Sequence, residues 1–390
     1  MGDQPKRVGA FRRGWLGTLA GLGALLFGTS AAQAIGCGEV LGPGGVAMLS
    51  DDLSCEESPA LTVEGPVVVD LQGFTLRCAL NHAGALAGTG IQVTGSQAEI
   101  RNGTIENCRR GVLVEGEGSH RLTHLTVTSA PGVGGGEPIA VLLTSNQNRI
   151  FRNIIRGYAG EAVRLDGANG NLLKYNRAID NADHGFRVRV GERNLFYQNT
   201  ARRNGGEGFR SQDRDNRIEF NTATDNGDEG IRLRDASAQN NLVIGNLVEH
   251  NGLSPCNPLA DVPDVNPGIA VTRDANNNKI KDNKVTGNCA GIGIEEGSDK
   301  NKIVNNDVSK SKILDMVDGN AHCADNDWRK NKFKTSASGP FPPGIPFPPC
   351  IRFGNVFESV ADQGGDVVRN GGSLAKDAGT AVKDVADSLF

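Results

Sequence analysis

The chain has 390 residues and a formal net charge of −4, with 53 Gly and 35 Asn against only 5% aromatic residues. Gly stands at about twice its average share of roughly 7%. Coiled coil is excluded because Gly and Asn are poor helix formers, collagen because Gly has no three-residue period, and disorder because 38% of the chain is hydrophobic and the net charge is small. An architecture that needs a turn residue at short, regular intervals remains, which is the signature of a repeat solenoid.

Residues 1–34 read as a secretory signal peptide. Lys6, Arg7, Arg12 and Arg13 make a basic start, Trp15 to Phe27 is an apolar stretch too short to span a bilayer, and Ala32-Gln33-Ala34 is a small-residue cleavage site. Both Sec and twin-arginine export fit Arg12-Arg13-Gly14-Trp15-Leu16. A lipoprotein is disfavoured, because Ala34 stands where a lipobox before Cys37 would carry Leu. No later run approaches transmembrane length. The mature chain is therefore expected in the periplasm or outside the cell.

From Asn148 a short pattern recurs: Asn, any residue, an apolar residue, two residues, Asn. It runs from Asn148-Arg-Ile-Phe-Arg-Asn153 through starts at Asn171, Asn194, Asn216, Asn241, Asn278 and Asn301, spaced by 23, 23, 22, 25, 37 and 23 residues. The interval of 37 marks an insertion holding Cys256 and four Pro. Between these motifs lies a second anchor, Gly-apolar-any-apolar, as in Gly90-Ile-Gln-Val93, Gly185-Phe-Arg-Val188, Gly230-Ile-Arg-Leu233 and Gly291-Ile-Gly-Ile294. Each unit thus holds short runs with period-two alternation, which predicts strands. Gly or Asn is expected to supply the positive φ at the corners. A unit of about 23 residues closes its core only by stacking on its neighbours. Beyond Asn331 the pattern fades. Pro340 to Pro349 holds six Pro, which predicts an extended segment over 336–354. Leu374, Ala378, Ala381, Val382, Val385 and Leu389 follow helical spacing within 355–390, where a helix would either cap the last open edge or serve oligomerisation or surface attachment.

On these two anchors the chain resembles the right-handed parallel β-helix family, the pectate-lyase-like superfold, over residues 66–335. The resemblance implies an all-β, single-stranded parallel β-helix of about eleven turns of 22–25 residues. Residues 35–65, with Cys37-Gly38 and Asp51-Asp52-Leu53-Ser54-Cys55, look like the family's disulfide-stapled N-terminal cap. Asn at equivalent corners should stack into ladders about 4.8 Å apart, amide on amide, with a further ladder at Asn107, Asn181, Asn204, Asn226 and Asn288. Eight Cys in an exported chain read as disulfides, and no Cys/His cluster suggests metal. The repeat register favours the pairs Cys37–Cys55, Cys78–Cys108, Cys256–Cys289 and Cys323–Cys350.

Register also sorts the side chains into columns. Arg164, Arg187, Arg210 and Arg232 form a first outward column confined to four turns, and Asp166, Arg189, Gln212 and Arg234 a second. Glu161, His184, Glu207 and Glu229 precede the anchors. Tyr158, Tyr175 and Tyr197 fall in or beside the same turns. Two readings follow. In one, the arginine forks bind the carboxylates or sulfates of an acidic polysaccharide or cell-surface glycan, with the three Tyr as sugar platforms. In the other, the Glu column neutralises the Arg column on a non-catalytic, adhesin-like rod. For catalysis on a uronate, by a lyase or epimerase, Asp183 and His184 beside Arg187 could supply base and cation, and a Tyr the acid. A hydrolase would use Asp166 with Asp183 or Asp213. The family's catalytic motifs are absent: there is no Asp-Pro-His-Glu of the mannuronan epimerases and no arginine motif of the pectate lyases. No cofactor is expected, nothing argues for calcium, and export with negative net charge argues against nucleic acid.

Overall fold

The computed structural model describes residues 33–80, 84, 86–130, 138–252, 256, 266–320, 323–338 and 351. The expected signal peptide apart from Gln33 and Ala34, the Pro-rich run, Cys350 and the C-terminal helix lie outside the described residues. Those residues form a parallel β-solenoid with three faces per turn. Glu161–Asp166 lies on the first face, Leu172–Lys174 on the second and Arg177–Ile179 on the third. The next turn then begins with Phe186–Val190. The first face is a single sheet of thirteen strands, from Glu39–Leu41 to Ser336–Ser338, so the coil makes twelve turns. Stacking already includes the segment expected as a cap, because Glu39–Leu41 pairs with Leu61–Val63, which pairs with Ile91–Val93. The second and third faces merge where Glu99–Glu106 and Arg121–Thr128 run continuously across both. Among the described residues there is no helix, and none long and apolar enough to cross a membrane.

The interior is a stack of aligned columns. On the first face Val163, Phe186, Phe209 and Ile231 are successive rungs, and on the second Leu173, Phe196 and Ile218. Phe186 and Phe209 stack at 5.0 Å, and Phe196 meets both edge-on at 6.1 and 6.4 Å. The third face of the same turns offers Ala178, Ala201 and Ala223. Large rings on two walls are matched by methyl groups on the third, which keeps the core at native packing density.

Three Asn ladders run along the corners. Asn148, Asn171, Asn194, Asn216, Asn241, Asn278, Asn301 and Asn326 form one, each backbone N–H donating to the next Oδ1. Asn153 to Asn331 form the second in the same way. The third contains Asn181, Asn204, Asn226, Asn251 and Asn288. Asn251 thus joins the ladder expected from sequence, while Asn107 accepts from the Ala130 N–H at 2.8 Å. Most of these amides also tie down a carbonyl of the preceding turn, as Asn199 Nδ2 does to Leu173 at 2.9 Å. The corner conformation corrects the sequence reading. The ladder Asn do not take positive φ; the residue before nearly every one does, whatever its type, as at Arg152, Tyr175, Gln198 and Phe220. Left-handed backbone costs an L-residue about 1–2 kcal/mol, and the buried amide bonds of the following Asn offset it.

Cys37–Cys55, Cys78–Cys108 and Cys256–Cys289 are bonded as the register requires. Cys323 is disulfide-bonded as well, and its expected partner Cys350 lies outside the described residues. Chain lengths at the corner between third and first faces are uneven. That connection is longest after Cys78, Thr128 and Glu249, and short after Arg156, Ile179, Arg202 and Thr224. The four turns that carry the arginine column therefore all have short corners, and the chain is longer at the corners before and after them.

Candidate functional site

The first face places Arg164, Arg187, Arg210 and Arg232 in register on four consecutive strands. Their side chains are 10–17% exposed. Beside them Glu161, Glu207 and Glu229 are buried, and so is His184. The arginines therefore lie over a column of buried carboxylates. Arg164 grips Glu161 with two bonds, at 2.5 and 2.7 Å, and Arg187 reaches the same carboxylate at 2.6 Å. Arg187 Nε donates to Gln212 Oε1 at 2.9 Å, and Gln212 donates to Asp235 at 2.7 Å. Arg232 sits between Glu207 at 3.6 Å and Glu229 at 3.2 Å.

His184 is held from both sides. Its Nε2 lies 3.1 Å from Arg210 Nη1. A guanidinium only donates, so Nε2 faces it as an acceptor. Nδ1 lies 2.5 Å from Glu207 Oε2 and 3.0 Å from Asp183 Oδ1. The Glu207 N–H points at the same nitrogen, at 3.2 Å. Gly206 makes room for the ring, because a Cβ there would fall 2.3 Å from Nδ1.

Burial and charge compete throughout this cluster. Burial raises the Glu161 carboxyl, but Arg164 and Arg187 outweigh it and leave it below its usual range. Burial likewise opposes ionisation of Glu207, yet His184 and Arg210 bring it down to about 2. Glu229 goes the other way: burial, with the charge of Glu207, overcomes Arg232 and pushes it up to about 7. Arg210 and Arg234 are lowered by burial and by neighbouring arginines. The Nε atoms of both are buried without a hydrogen-bond partner.

In the second column Arg189 pairs with Asp166 at 2.9 Å across a register shift, and Arg234 lies 3.6 Å from Asp235. A shallow groove of about 370 Å³ borders this column, lined by turn residues from the same turns, among them Asn169, Glu192, Asp213 and Arg214.

Three sequence expectations need correction here. Tyr158 is buried, and its hydroxyl donates to the Cys108 carbonyl at 2.5 Å, so it is a core residue that reaches no surface ligand. Tyr197 belongs to the second face and Tyr175 to the corner that follows, so neither lies on the arginine face. Of the expected catalytic trio, His184 and Asp183 meet, but Arg187 is committed to Glu161 and Gln212, and Arg210 is the arginine on His184. Sequence reading missed the bridging role of Gln212 and the burial of Glu229. Glu161, Asp183 and His184 bring potential metal-ligand atoms within 4.8 Å of one another. Glu161 spends its oxygens on two arginines, so a cation there would have to displace a guanidinium.

Comparison with known families decides the architecture: the family described as the right handed beta helix region matches residues 89–241 and 139–308, together more than half of the chain. The chain belongs to the right-handed β-helix family. No curated protein is similar to it in sequence. Among solved structures this β-helix is similar to the Dettilon tailspike protein, at 14% identity and a TM-score of 0.58, over 72% of this chain and 59% of that one. It is also similar to the periplasmic alginate epimerase AlgG, at 13% identity and a TM-score of 0.50, over 77% and 74%. The mannuronan C-5 epimerase A-module of Azotobacter vinelandii matches at 16% identity and a TM-score of 0.47, over 79% and 80%. The first two of these likenesses bear on the fold alone.

Proposed function

We propose that this β-helix is an exported carbohydrate-binding protein that takes an acidic polysaccharide along its first face. The observation that carries the reading is the four-rung arginine column, held from beneath by buried carboxylates and bracketed by the long corner connections. Guanidiniums fixed in this way are pre-organised, so less ordering entropy is lost when a ligand carboxylate or sulfate arrives. Rungs about 4.8 Å apart suit a polymer lying along the axis, and the groove beside Arg189 and Arg234 gives it a path. The disulfides fit an oxidising compartment. The epimerase named above acts on alginate by its printed name, which is in keeping with a polysaccharide ligand.

One observation favours a second reading, in which the bound polymer is also processed. His184 has the arrangement of an oriented base, with Nδ1 against the Glu207 carboxylate and Nε2 capped by Arg210. A ligand carboxylate that drew Arg210 away would leave Nε2 free to take a proton. The salt-bridged rod is the competing structural account, and the bidentate Arg164–Glu161 pair is what speaks for it.

The test is retention of the full chain on alginate, polygalacturonate and a sulfated glycan, with absorbance followed for new double bonds. We expect retention that weakens in Arg210→Gln/Arg232→Gln, and, on the second reading, turnover that vanishes in His184→Ala. If the native chain ignores all three polymers, the polysaccharide reading fails and the rod stands.

A further inference from the structure

A second surface, away from the arginine face, has the makings of a ligand site. Over residues 149–177 the second and third faces and the corner between them carry Arg149, Arg152, Arg156, Lys174 and Arg177. Among the described residues none of these five forms an ion pair, although most arginines elsewhere in the coil do. Two of them rest on aromatic rings instead. Lys174 Nζ lies 4.7 Å from the Tyr175 ring centroid and 4.8 Å from that of Tyr197, and Arg152 lies 5.9 Å from Tyr175. The acid beside the rings, Glu219 on the rung after Tyr197, is already taken by Arg217 at 2.6 Å.

The rings themselves are built onto the surface. Tyr175 is 41% and Phe220 50% exposed, and both occupy left-handed corner positions, with φ of 59° and 54°. Bulky residues seldom take that conformation, so solvent exposure of a ring here has neither a burial gain nor a backbone preference behind it. Phe220 also needs its neighbour: its ring lies over Gly245, where a Cβ would come within 2.6 Å of Cε1. Tyr197 meets Phe220 edge-on at 5.5 Å. Tyr175, Tyr197 and Phe220 thus make an aromatic strip across three turns, flanked by cations without counter-charges.

We propose that this corner is a second binding site for an anionic glycan, in which Tyr175 and Phe220 stack on the apolar faces of sugar rings and Arg152 and Lys174 meet their carboxylates or sulfates. Charge complementarity selects an anion, and exposed rings select a ligand with flat apolar faces. Single-stranded nucleic acid shares both features, but the disulfides speak for an oxidising compartment and therefore for glycan. The proposal does not rest on the first-face reading, since the two surfaces share no residue.

Titration calorimetry of the full chain with polygalacturonate, heparin and an oligo-thymidine tests it. Tyr175→Asn/Phe220→Asn removes both rings with a residue that tolerates left-handed backbone, and Arg152→Gln/Lys174→Gln removes the charges. We expect the ring variant to bind polygalacturonate or heparin about tenfold more weakly, the charge variant to lose salt dependence, and both to unfold at the native temperature. Arg210→Gln/Arg232→Gln reports on the first face separately: if it binds like the native chain while the corner variants fail, the first-face reading falls and the corner stands. Glycan affinity unchanged in both corner variants would overturn the proposal, as would no glycan binding by the native chain or a preference for the oligo-thymidine.

Discussion

The arginine face and the aromatic corner use the same cation in opposite ways. On the first face Arg164, Arg187, Arg210 and Arg232 lie over buried acids, and much of their charge is spent inside the protein. At the corner Arg149, Arg152, Arg156, Lys174 and Arg177 stand in solvent or on rings, and their charge is left for something outside. Number of arginines is therefore a poor guide to where a ligand would bind. The useful quantity is how many of their donors the fold has already used, and at what cost in burial. It follows that substitutions on the face should register in stability as well as in binding, and substitutions at the corner in binding alone.

The scaffold beneath both regions should show the largest effect. Asn199 Oδ1 accepts from the N–H and the Nδ2 of Asn176, while its own Nδ2 reaches Leu173 and Asn221. Asn199→Leu strands all of these groups inside the coil, at about 1–3 kcal/mol for each buried group left unpaired. We expect denaturant unfolding to show a loss of several such increments, or no soluble protein. Arg189→Ala, whose side chain is 55% exposed, should change stability by no more than about 1 kcal/mol. Equal losses in the two variants would contradict the ladder account.

Next comes the face itself. Glu161→Gln leaves Arg164 and Arg187 half-buried with their shared anion gone, and breaking a buried pair in this way costs about 3–5 kcal/mol. Arg177→Gln at the corner should leave the unfolding midpoint in place. If both substitutions prove neutral, the face is no more self-paired than the corner and the contrast between them dissolves.

Much of this was legible before any coordinates. The Asn and Gly anchors gave the register, the register gave the columns, and the columns put Arg164, Arg187, Arg210 and Arg232 on one strip beside Glu161, Glu207 and Glu229. They also placed three of the four expected Cys pairs, the fourth having Cys350 outside the described residues. A column, however, says which residues share a height around the coil, not which wall a given side chain faces from a corner. Tyr175 and Tyr197 are close to the arginines in sequence but belong to another side of the turn. Tyr158 carried a readable signal: it stands five residues after Asn153, as Asn181 stands after Asn176 and Asn204 after Asn199. It fills an Asn slot, and its N–H donates to Asn181 accordingly. Burial of Glu229 was hidden, because an acid in an outward column reads as solvated until the neighbouring arginines are seen to close over it.

The acids of the face also make its stability depend on pH, in two directions. Glu207, down to about 2 in the folded chain, contributes stability above its unfolded value near 4.3, and that contribution is lost as pH falls through about 2. Glu229, pushed up to about 7, has the opposite sign: its contribution is full below the unfolded value and disappears as pH rises through 7. Glu229→Gln should therefore match the native chain near pH 4 and become more stable than it by about 3–4 kcal/mol at pH 8. An unfolding series from pH 4 to 8 reads this directly. A constant difference between the two proteins across that range would mean that Glu229 stays ionised beside Arg232.

The smallest effect should appear at the corner. Lys174→Gln removes a cation that touches only rings, so the fold loses a cation–π contact worth about 0.5–1 kcal/mol at an exposed site. Lys174→Arg should restore it, because a guanidinium also lies well over an aromatic face. The reading sharpens when salt is varied. An exposed cation acts on an incoming anion through screened solvent, so the difference in glycan affinity between native and Lys174→Gln should shrink as salt rises. The Glu161–Arg164 pair, out of solvent, should hold its contribution to stability over the same range. Should both contributions fade together with salt, the arginine face is as open to solvent as the corner, and its charges are as available to a ligand.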